Sequence, residues 1–382
     1  MTKKKLLIAT DNFLPRWDGI SQFLSKIIPE IYFDYDITLL VPKFRGKVPK
    51  IPNTRIIRLP THNFYLGDYM PSKVNLKNLK RINREVKKAD LVWTHALGPI
   101  GIKAILCSKF NKKKVISYIH SIESELFSKG LALGPISRKI IFNIMKSFSR
   151  IFYNMCDLLM VPSLDLTEIL SWHRIKTRKV VVHMGIDTEE FRPTIEKSLA
   201  KAKIGVKGSK IIGYSGRIAR EKDLITLYRA FTRLHHHHDV KLLIVGGGLP
   251  KMRKFLENKE DVIVTGPVDN VLPYLHAMDI YVMPSLTETS SLATMEAMAT
   301  AIPVIVTPIG HMKNYVQEGY NGFQFPVKDS YLLSKKIELL LNDYDLRNTM
   351  GNNARLTILE NYTWQETSSR TKKVLKVFSK LT

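Results

Sequence analysis

The chain has 382 residues, enough for two domains of ordinary size, and its 45% hydrophobic and 24% charged residues exclude a disordered or fibrous protein. Basic residues number 59 against 34 acidic ones, a formal charge of +25, which points to an anionic partner: nucleic acid, an acidic membrane surface or a phosphorylated substrate. Two cysteines, Cys107 and Cys156, exclude a disulfide framework, and no stretch approaches the roughly 18 uninterrupted apolar residues of a spanning helix.

Residues 1–11 pass from a basic start through a short apolar run to Thr10 and Asp11. The run is too short for a signal-peptide core and lacks a cleavage-like site, so it reads as a first strand at residues 6–9. A turn bearing Gly19 follows, and then Phe23, Leu24, Ile27 and Ile28 at helical spacing. A strand, a glycine-bearing loop and a helix suit a phosphate or acceptor approaching the backbone, and a plain βα turn has the same pattern. Strands are predicted at residues 37–41, 56–59, 91–94 and 115–119, with helical stretches between most of them. Such alternation means a parallel, doubly wound sheet, whose ligands bind beyond the carboxyl ends of the strands. His95 and His120 fall there. Either is structural or functional, and the polar run from His120 to Glu125 favours His120. Residues 60–75 form an aromatic loop in which Phe64, Tyr65 and Tyr69 line an acceptor site or cover the core.

Residues 135–155 are amphipathic: Ile140, Ile144, Phe148 and Ile151 share a stripe, and Arg138, Lys139, Lys146 and Arg150 form the basic part. Such a helix either lies on anionic lipid or faces the core with a solvated basic edge, and the core-facing reading is preferred. A second basic run covers Lys73, Lys77, Lys80, Arg81, Arg84, Lys87 and Lys88, with Lys112 to Lys114 following.

Strands at residues 158–161 and 180–182 lead to His183-Met184-Gly185-Ile186-Asp187. The Lys-rich residues 192–208 read as a linker or surface excursion. A second strand, glycine turn and helix opens at Ile211, with Gly216, Arg217 and Lys222 in the turn. Two cations on such a loop suit a diphosphate. The turn Gly246-Gly247-Gly248 is a weak nucleotide signal by itself. His235 to His238 read as a solvated turn. After Gly266-Pro267-Val268 comes the most informative stretch, residues 280–299. A buried strand stops at Pro284, a polar turn follows, and an Ala/Met-rich helix begins at Leu292. Glu288 and Glu296 bracket the change, and the amides of Ser290, Ser291 and Leu292 face the helix start, where anions are favoured. Acceptor carboxylates beside an anion hole suit a ligand bearing both hydroxyls and phosphate, as a nucleotide sugar does.

Glu288-x7-Glu296 with Ala297-Met298-Ala299 resembles the signature of the family 4 retaining glycosyltransferases. Gly216-Arg217 with Lys222, His120, Gly19, the segment from Pro303 to Gly310, and the tail around Tyr362-Thr363-Trp364 carry the resemblance over nearly the whole chain. It implies the GT-B fold, an α/β architecture of two Rossmann-like, doubly wound, parallel-sheet domains facing a cleft. Residues 1–187 would bind the acceptor, residues 188–365 the nucleotide sugar, and a helix over about 366–382 would pack back on the first domain. The implied reaction moves a hexose from a UDP- or GDP-linked sugar to an acceptor hydroxyl with retention, by front-face attack in which the leaving phosphate assists deprotonation. The acceptor would be a membrane lipid, a polyprenyl-linked species or a glycan, with the lipid branch left open.

In this reading Arg217 and Lys222 neutralise the leaving diphosphate, helped by amides from Ser290 to Leu292. Glu288 accepts from the hexose and Glu296 from the ribose, Val268 lies near the base, Gly19 and Gly216 allow close backbone approach, and His120 positions sugar or acceptor. No cofactor or metal is expected, since the two cations take the place of Mg²⁺ and Asp34-Tyr35-Asp36 lies away from the donor domain. Met184 stands where the family has Asn, and Asn314 where it has Glu. The expected location is cytoplasmic, with attachment to the inner face of a membrane left open. The alternatives are a nucleotide-sugar epimerase of the same fold, a basic nucleic-acid-binding protein, which lacks zinc spacing or RNP-like aromatics, and a peripheral membrane scaffold without activity.

Overall fold

The computed structural model describes residues 3–16, 18–64, 70–131, 134–206, 208–235 and 237–380. Tyr65, Tyr69 and His236 lie outside them. The chain divides into two units, Met1–His183 with Thr367–Thr382, and Met184–Glu366.

In the first unit the described strands are β1 (Lys4–Thr10), β2 (Tyr35–Pro42), β3 (Thr54–Leu59), β4 (Leu91–His95), β5 (Lys114–Tyr118), β6 (Leu158–Val161) and β7 (Lys179–Val181). They form one parallel sheet in the order β3-β2-β1-β4-β5-β6-β7. The helices between them are α1 (Gly19–Ile31), α2 (Leu76–Lys88), α3 (Pro99–Phe110), α4 (Glu123–Gly130), α5 (Pro135–Tyr153) and α6 (Leu164–Trp172). Leu6 to Thr10 and Leu91 to His95 are buried without a break. Strands covered by helices on both faces carry this continuous apolar pattern rather than an alternating one.

In the second unit the strands are β8 (Lys210–Ser215), β9 (Val240–Val245), β10 (Val262–Val264), β11 (Ile280–Met283), β12 (Val304–Val306) and β13 (Gly322–Gln324), ordered β10-β9-β8-β11-β12-β13 and again parallel. Its helices are α7 (Lys197–Lys203), α8 (Leu224–Thr232), α9 (Pro250–Glu257), α10 (Leu272–Ala277), α11 (Leu292–Ala299), α12 (Met312–Tyr315), α13 (Ser330–Asn342) and α14 (Tyr344–Asn361). The last helix, α15 (Trp364–Lys380), belongs to the first unit from Thr367 on. There Lys372 pairs with Glu30 at 2.7 Å and the Ser379 hydroxyl lies 3.2 Å from that of Tyr35.

Two sequence expectations are corrected. Residues 192–208 are not a plain linker, because α7 forms within them. Lys201 and Lys197 reach the carboxylate of Asp279 at 2.6 and 3.3 Å, and Asp279 also accepts from the Ile211 amide at 2.7 Å. Burial pushes the Asp279 carboxyl up, but the two lysines outweigh it and hold it below the usual range. Nor does α5 turn its isoleucines to the core. Its buried residues are Ser149 and Tyr153, with Phe148 and Phe152 packed beside them, whereas Ile136, Ile140, Ile144 and Ile151 are 79, 53, 55 and 56% exposed. The stripe drawn through Phe148 therefore divides: the phenylalanine turns in and the isoleucines turn out.

Each sheet reverses its winding at one place, between β1 and β4 and between β8 and β11, the place where open α/β sheets as a class bind their ligands. In the first unit that place is filled from within. Asp11, 2% exposed at the end of β1, accepts from the Ile100 and Gly101 amides at 2.9 Å each, at the start of α3. The cap residue of α3 is Gly98, which offers no side chain of its own. Asp11 thus serves as the anion that a helix N-terminus attracts. Replacing it by Ala leaves these buried amides unpartnered. Asp11→Ala is expected to lower unfolding free energy by about 2–3 kcal/mol, read from urea transitions, and an unshifted transition would refute the cap.

Candidate active site

The second unit assembles most of the predicted residues on the loops leaving β8 and β11, which are neighbours in its sheet. The first loop turns at Gly216, whose φ of +141° is open to glycine, and a Cβ there would stand 2.8 Å from the Tyr214 hydroxyl. That hydroxyl donates to the Arg217 carbonyl at 2.7 Å and fixes the loop from below. Gly246, at φ +139°, is packed against the Gly216 carbonyl so closely that a side chain would clash. The triple-glycine turn therefore seats the neighbouring loop, a sufficient reason for its composition. A one-turn 3-10 helix, Arg220–Lys222, ends the loop. The Glu221 carbonyl then accepts from the Leu286 amide at 2.7 Å, tying the first loop to the second.

Two ion pairs hold the cations. Lys222 Nζ contacts Glu288, which also accepts from the Ser285 hydroxyl at 3.1 Å, and the side chains of the pair are only 15 and 12% exposed. Arg217 lies 3.0 Å from Glu221. The Lys222–Glu288 pair bridges the β8 and β11 loops where the winding reverses.

Beyond Glu288 the chain enters α11 through Ser291, which adopts a left-handed conformation and gives no side-chain cap. Ser290 and Ser291 are buried, the Ser290 hydroxyl has no hydrogen-bond partner, and the Tyr315 hydroxyl donates to the Ser290 carbonyl at 2.7 Å. The His311 amide donates to the Thr289 carbonyl at 2.8 Å, so the β12–α12 loop backs this turn. Glu296 sits one turn into α11 and is 7% exposed. Three tyrosines lie fully buried beneath: Tyr214, Tyr281 and Tyr315. Burial raises all three phenols, and the field of Glu288 adds to each. Tyr281 feels Glu296 as well, so the two carboxylates bracket one neutral ring. Val268, partly buried beyond β10, packs on the unit's core.

The first unit holds the histidines. His95 is fully buried at the end of β4, and its Nδ1 lies 2.8 Å from Nε2 of the partly exposed His120. Phe23, Trp93 and Tyr118 pack around the pair. Burial holds both imidazoles down, that of His120 to about 3, so both are neutral at physiological pH. Gly19 begins α1, and Asp18 caps that helix by accepting from the Ser21 amide at 2.9 Å. This helix start, too, carries a carboxylate of its own.

The sequence did not single out the tyrosines, the partner acid Glu221 or Ser285. In a strand pattern Tyr214 and Tyr281 count only as large apolar residues, and their position under a charged loop follows from tertiary packing.

The sequence matches two family models, one described as glycosyl transferases group 1 over residues 196–357 and one as glycosyltransferase family 4 over residues 33–190. It is 25% identical over 349 residues to a GDP-mannose-dependent alpha-mannosyltransferase of Corynebacterium glutamicum, spanning 89% of this chain and 81% of that one. It is 23% identical over 391 residues to a GDP-mannose-dependent alpha-(1-6)-phosphatidylinositol monomannoside mannosyltransferase of Mycolicibacterium smegmatis, covering 97% of this chain and 98% of the relative. The fold is similar to that of sucrose-phosphate synthase from Thermosynechococcus elongatus, with a TM-score of 0.79 at 17% identity over 100% of each chain.

Three residues past His120, Glu123 heads α4 and is buried against α5. It accepts from the hydroxyl of Tyr153 and, at 3.4 Å, from that of Ser149. Burial outweighs these bonds and pushes its carboxyl up to about 7. A carboxyl raised on folding contributes stability that is full below its unfolded value and is lost as pH rises through its folded value. Between pH 5 and pH 8 the wild type should lose roughly 2–3 kcal/mol more stability than Glu123→Gln, measured by urea unfolding at the two pH values. Parallel losses in both proteins would contradict the burial.

Proposed function

The chain belongs to the group 1, family 4 glycosyltransferases, and from that premise we propose that it moves a hexose from a UDP- or GDP-linked sugar to a hydroxyl of a membrane lipid or polyprenyl-linked acceptor, with retention at the anomeric carbon. The observation that carries this reading is the Lys222–Glu288 pair, set beside the start of α11 and bridging the two loops where the sheet reverses. A cation already desolvated against a carboxylate exchanges that partner for a diphosphate at little further cost, and the released Glu288 accepts from the hexose hydroxyls. Arg217 gives the diphosphate a second cation, and the amides from Ser290 to Leu292 supply neutral donors. Fixed charges of this kind act most strongly where negative charge develops on the leaving group. Glu296 accepts from the ribose, Gly216 lets backbone approach, Val268 lies beside the base, and Gly19 and His120 serve the first unit's part of the reaction. The acceptor hydroxyl bonds to the anomeric carbon as the bond to the diphosphate breaks, and the departing phosphate oxygen takes the hydroxyl proton. With two cations balancing the leaving group, turnover in EDTA is part of the proposal. The relatives compared above are transferases, which gives the epimerase alternative no support.

The lipid acceptor is supported by α5 and by the substrate named for the Mycolicibacterium smegmatis relative. Four isoleucines of α5 face outward beside Arg138 and Lys139, an arrangement suited to an anionic bilayer surface at the inner face of a cytoplasmic membrane. No helix among the described residues is long and apolar enough to cross a membrane, so attachment in this reading is peripheral.

Purified protein is to be assayed with UDP-, GDP- and ADP-sugars against lipid extract, with and without EDTA. Arg217→Ala and Glu296→Ala are each expected to lower kcat/KM for the donor by about 100-fold or more, and wild-type kinetics in either variant would remove that residue from the site. Product anomers that match the donor, read by NMR coupling constants, support retention, and inverted anomers overturn it. The double substitution Ile140→Glu with Ile144→Glu should weaken co-sedimentation with anionic vesicles while donor hydrolysis stays unchanged. Undiminished sedimentation would move the membrane contact elsewhere.

A further inference from the structure

We propose that His95 is a positioning residue: its Nδ1–H donates to Nε2 of His120 and so fixes the His120 proton on Nδ1, where that ring presents a donor to a substrate hydroxyl. The inference rests on the reading above only in placing His120 at the site. The hydrogen bond itself is a property of the first unit.

The contact is 2.8 Å long and joins two imidazole nitrogens, so one ring donates and the other accepts. The direction follows from what surrounds His95. Its other nitrogen, Nε2, is buried and has no hydrogen-bond partner, and neither has the indole nitrogen of Trp93, whose ring centroid lies 4.4 Å from that of His95. Trp93 is fully buried, and its indole nitrogen is a donor only. Were His120 the donor, His95 would carry its proton on Nε2. Two buried N–H groups on neighbouring rings would then both lack acceptors, each at the cost of desolvation without a bond. With the proton of His95 on Nδ1, the two orphan atoms are instead an acceptor and a donor. His120 then accepts through Nε2, and its own proton is confined to Nδ1. Phe23 and Tyr118, with ring centroids 5.7 and 4.5 Å from that of His120, hold the ring in the orientation that this bond requires.

The consequence is chemical. His120 offers the substrate an N–H, not a basic lone pair, so it binds an oxygen and takes no proton from the acceptor. Residues behind a functional histidine that settle its tautomer are a recurrent device, and here another histidine fills that place.

The test uses the full chain labelled with ¹⁵N-histidine. Long-range ¹H–¹⁵N spectra at neutral pH distinguish the tautomers, and the two rings are assigned by the signals lost in His95→Asn and His120→Asn. Nδ1–H on both rings is the expected result. An Nε2–H on His120, or an imidazolium on either ring, overturns the proposal. Kinetics give the second reading. His95→Asn keeps an amide N–H near the place of Nδ1 and should retain kcat/KM within about threefold, whereas His95→Leu should lose about tenfold, the worth of one hydrogen bond. Equal kcat/KM for His95→Leu and wild type also overturns it. Wild-type turnover by His120→Ala would instead strike the placement of His120 at the site, and the spectra would still decide the tautomer.

Discussion

A single contact, that of Lys222 with Glu288, organises the second unit's site. Both residues sit on loops that carry little regular structure, and such loops are held by what they bind to. The ion pair, the Leu286–Glu221 backbone bond and the tyrosine hydroxyls beneath lace the β8 and β11 loops into one surface. A pair this poorly exposed gains little over an apolar contact, because desolvation offsets attraction. In the proposed function its use lies in holding two charges of opposite sign, already largely stripped of water, where a ligand bearing phosphate and hydroxyls would take one of each.

The two units share one architecture and treat their winding reversal in opposite ways. In the first, Asp11 reaches into the start of α3 and occupies the position where a helix attracts an anion. In the second, the start of α11 has no side-chain cap, and Ser290 beside it keeps an unpartnered hydroxyl. Nothing in the strand order separates them. The difference is a carboxylate in one loop and serines in the other, so the first helix start carries its own anion and the second carries none from its cap residue.

Much of this was legible from sequence. Continuous apolar runs of four to seven residues between helical periods dictated parallel sheets, and each predicted strand is present within a residue or two of its expected ends. The β8 and β11 loops stood out because glycine, acids and cations fall together at the ends of strands, and the structure brings Lys222 and Glu288 into contact there, while their part in donor binding is proposed. What was not legible depends on packing across long sequence separations. The linker reading failed at α7 because its anchor, Asp279, stands some eighty residues downstream. The core-facing reading of α5 failed because periodicity names a stripe without saying which way it faces, and Ser149 with Tyr153 proved the better fit to the buried carboxyl of Glu123. The 2.8 Å bond between His95 and His120 joins neighbouring strands, and no local pattern announces it.

The charge of +25 is unevenly distributed along the chain. Arg217 and Lys222 are matched by Glu221 and Glu288, so the β8 and β11 loops are close to neutral. The surplus lies in the first unit, on its helices and on its strands and loops alike. On α2 the exposed cations Lys77, Lys80, Arg81, Arg84, Lys87 and Lys88 share a helix with one acid, Glu85, which is buried against Arg55 and Arg84. Such a field acts on an anionic surface over roughly a Debye length, about 10 Å at 0.1 M salt, and fades as salt rises. In the proposed reaction the exchange of Glu288 for a diphosphate would take place at contact distance, at side chains only 15 and 12% exposed, where added salt has much less effect. Under the proposed function, encounter with a charged acceptor surface and capture of the donor would therefore be separable by ionic strength, because the chain places the charges for each on different secondary structure.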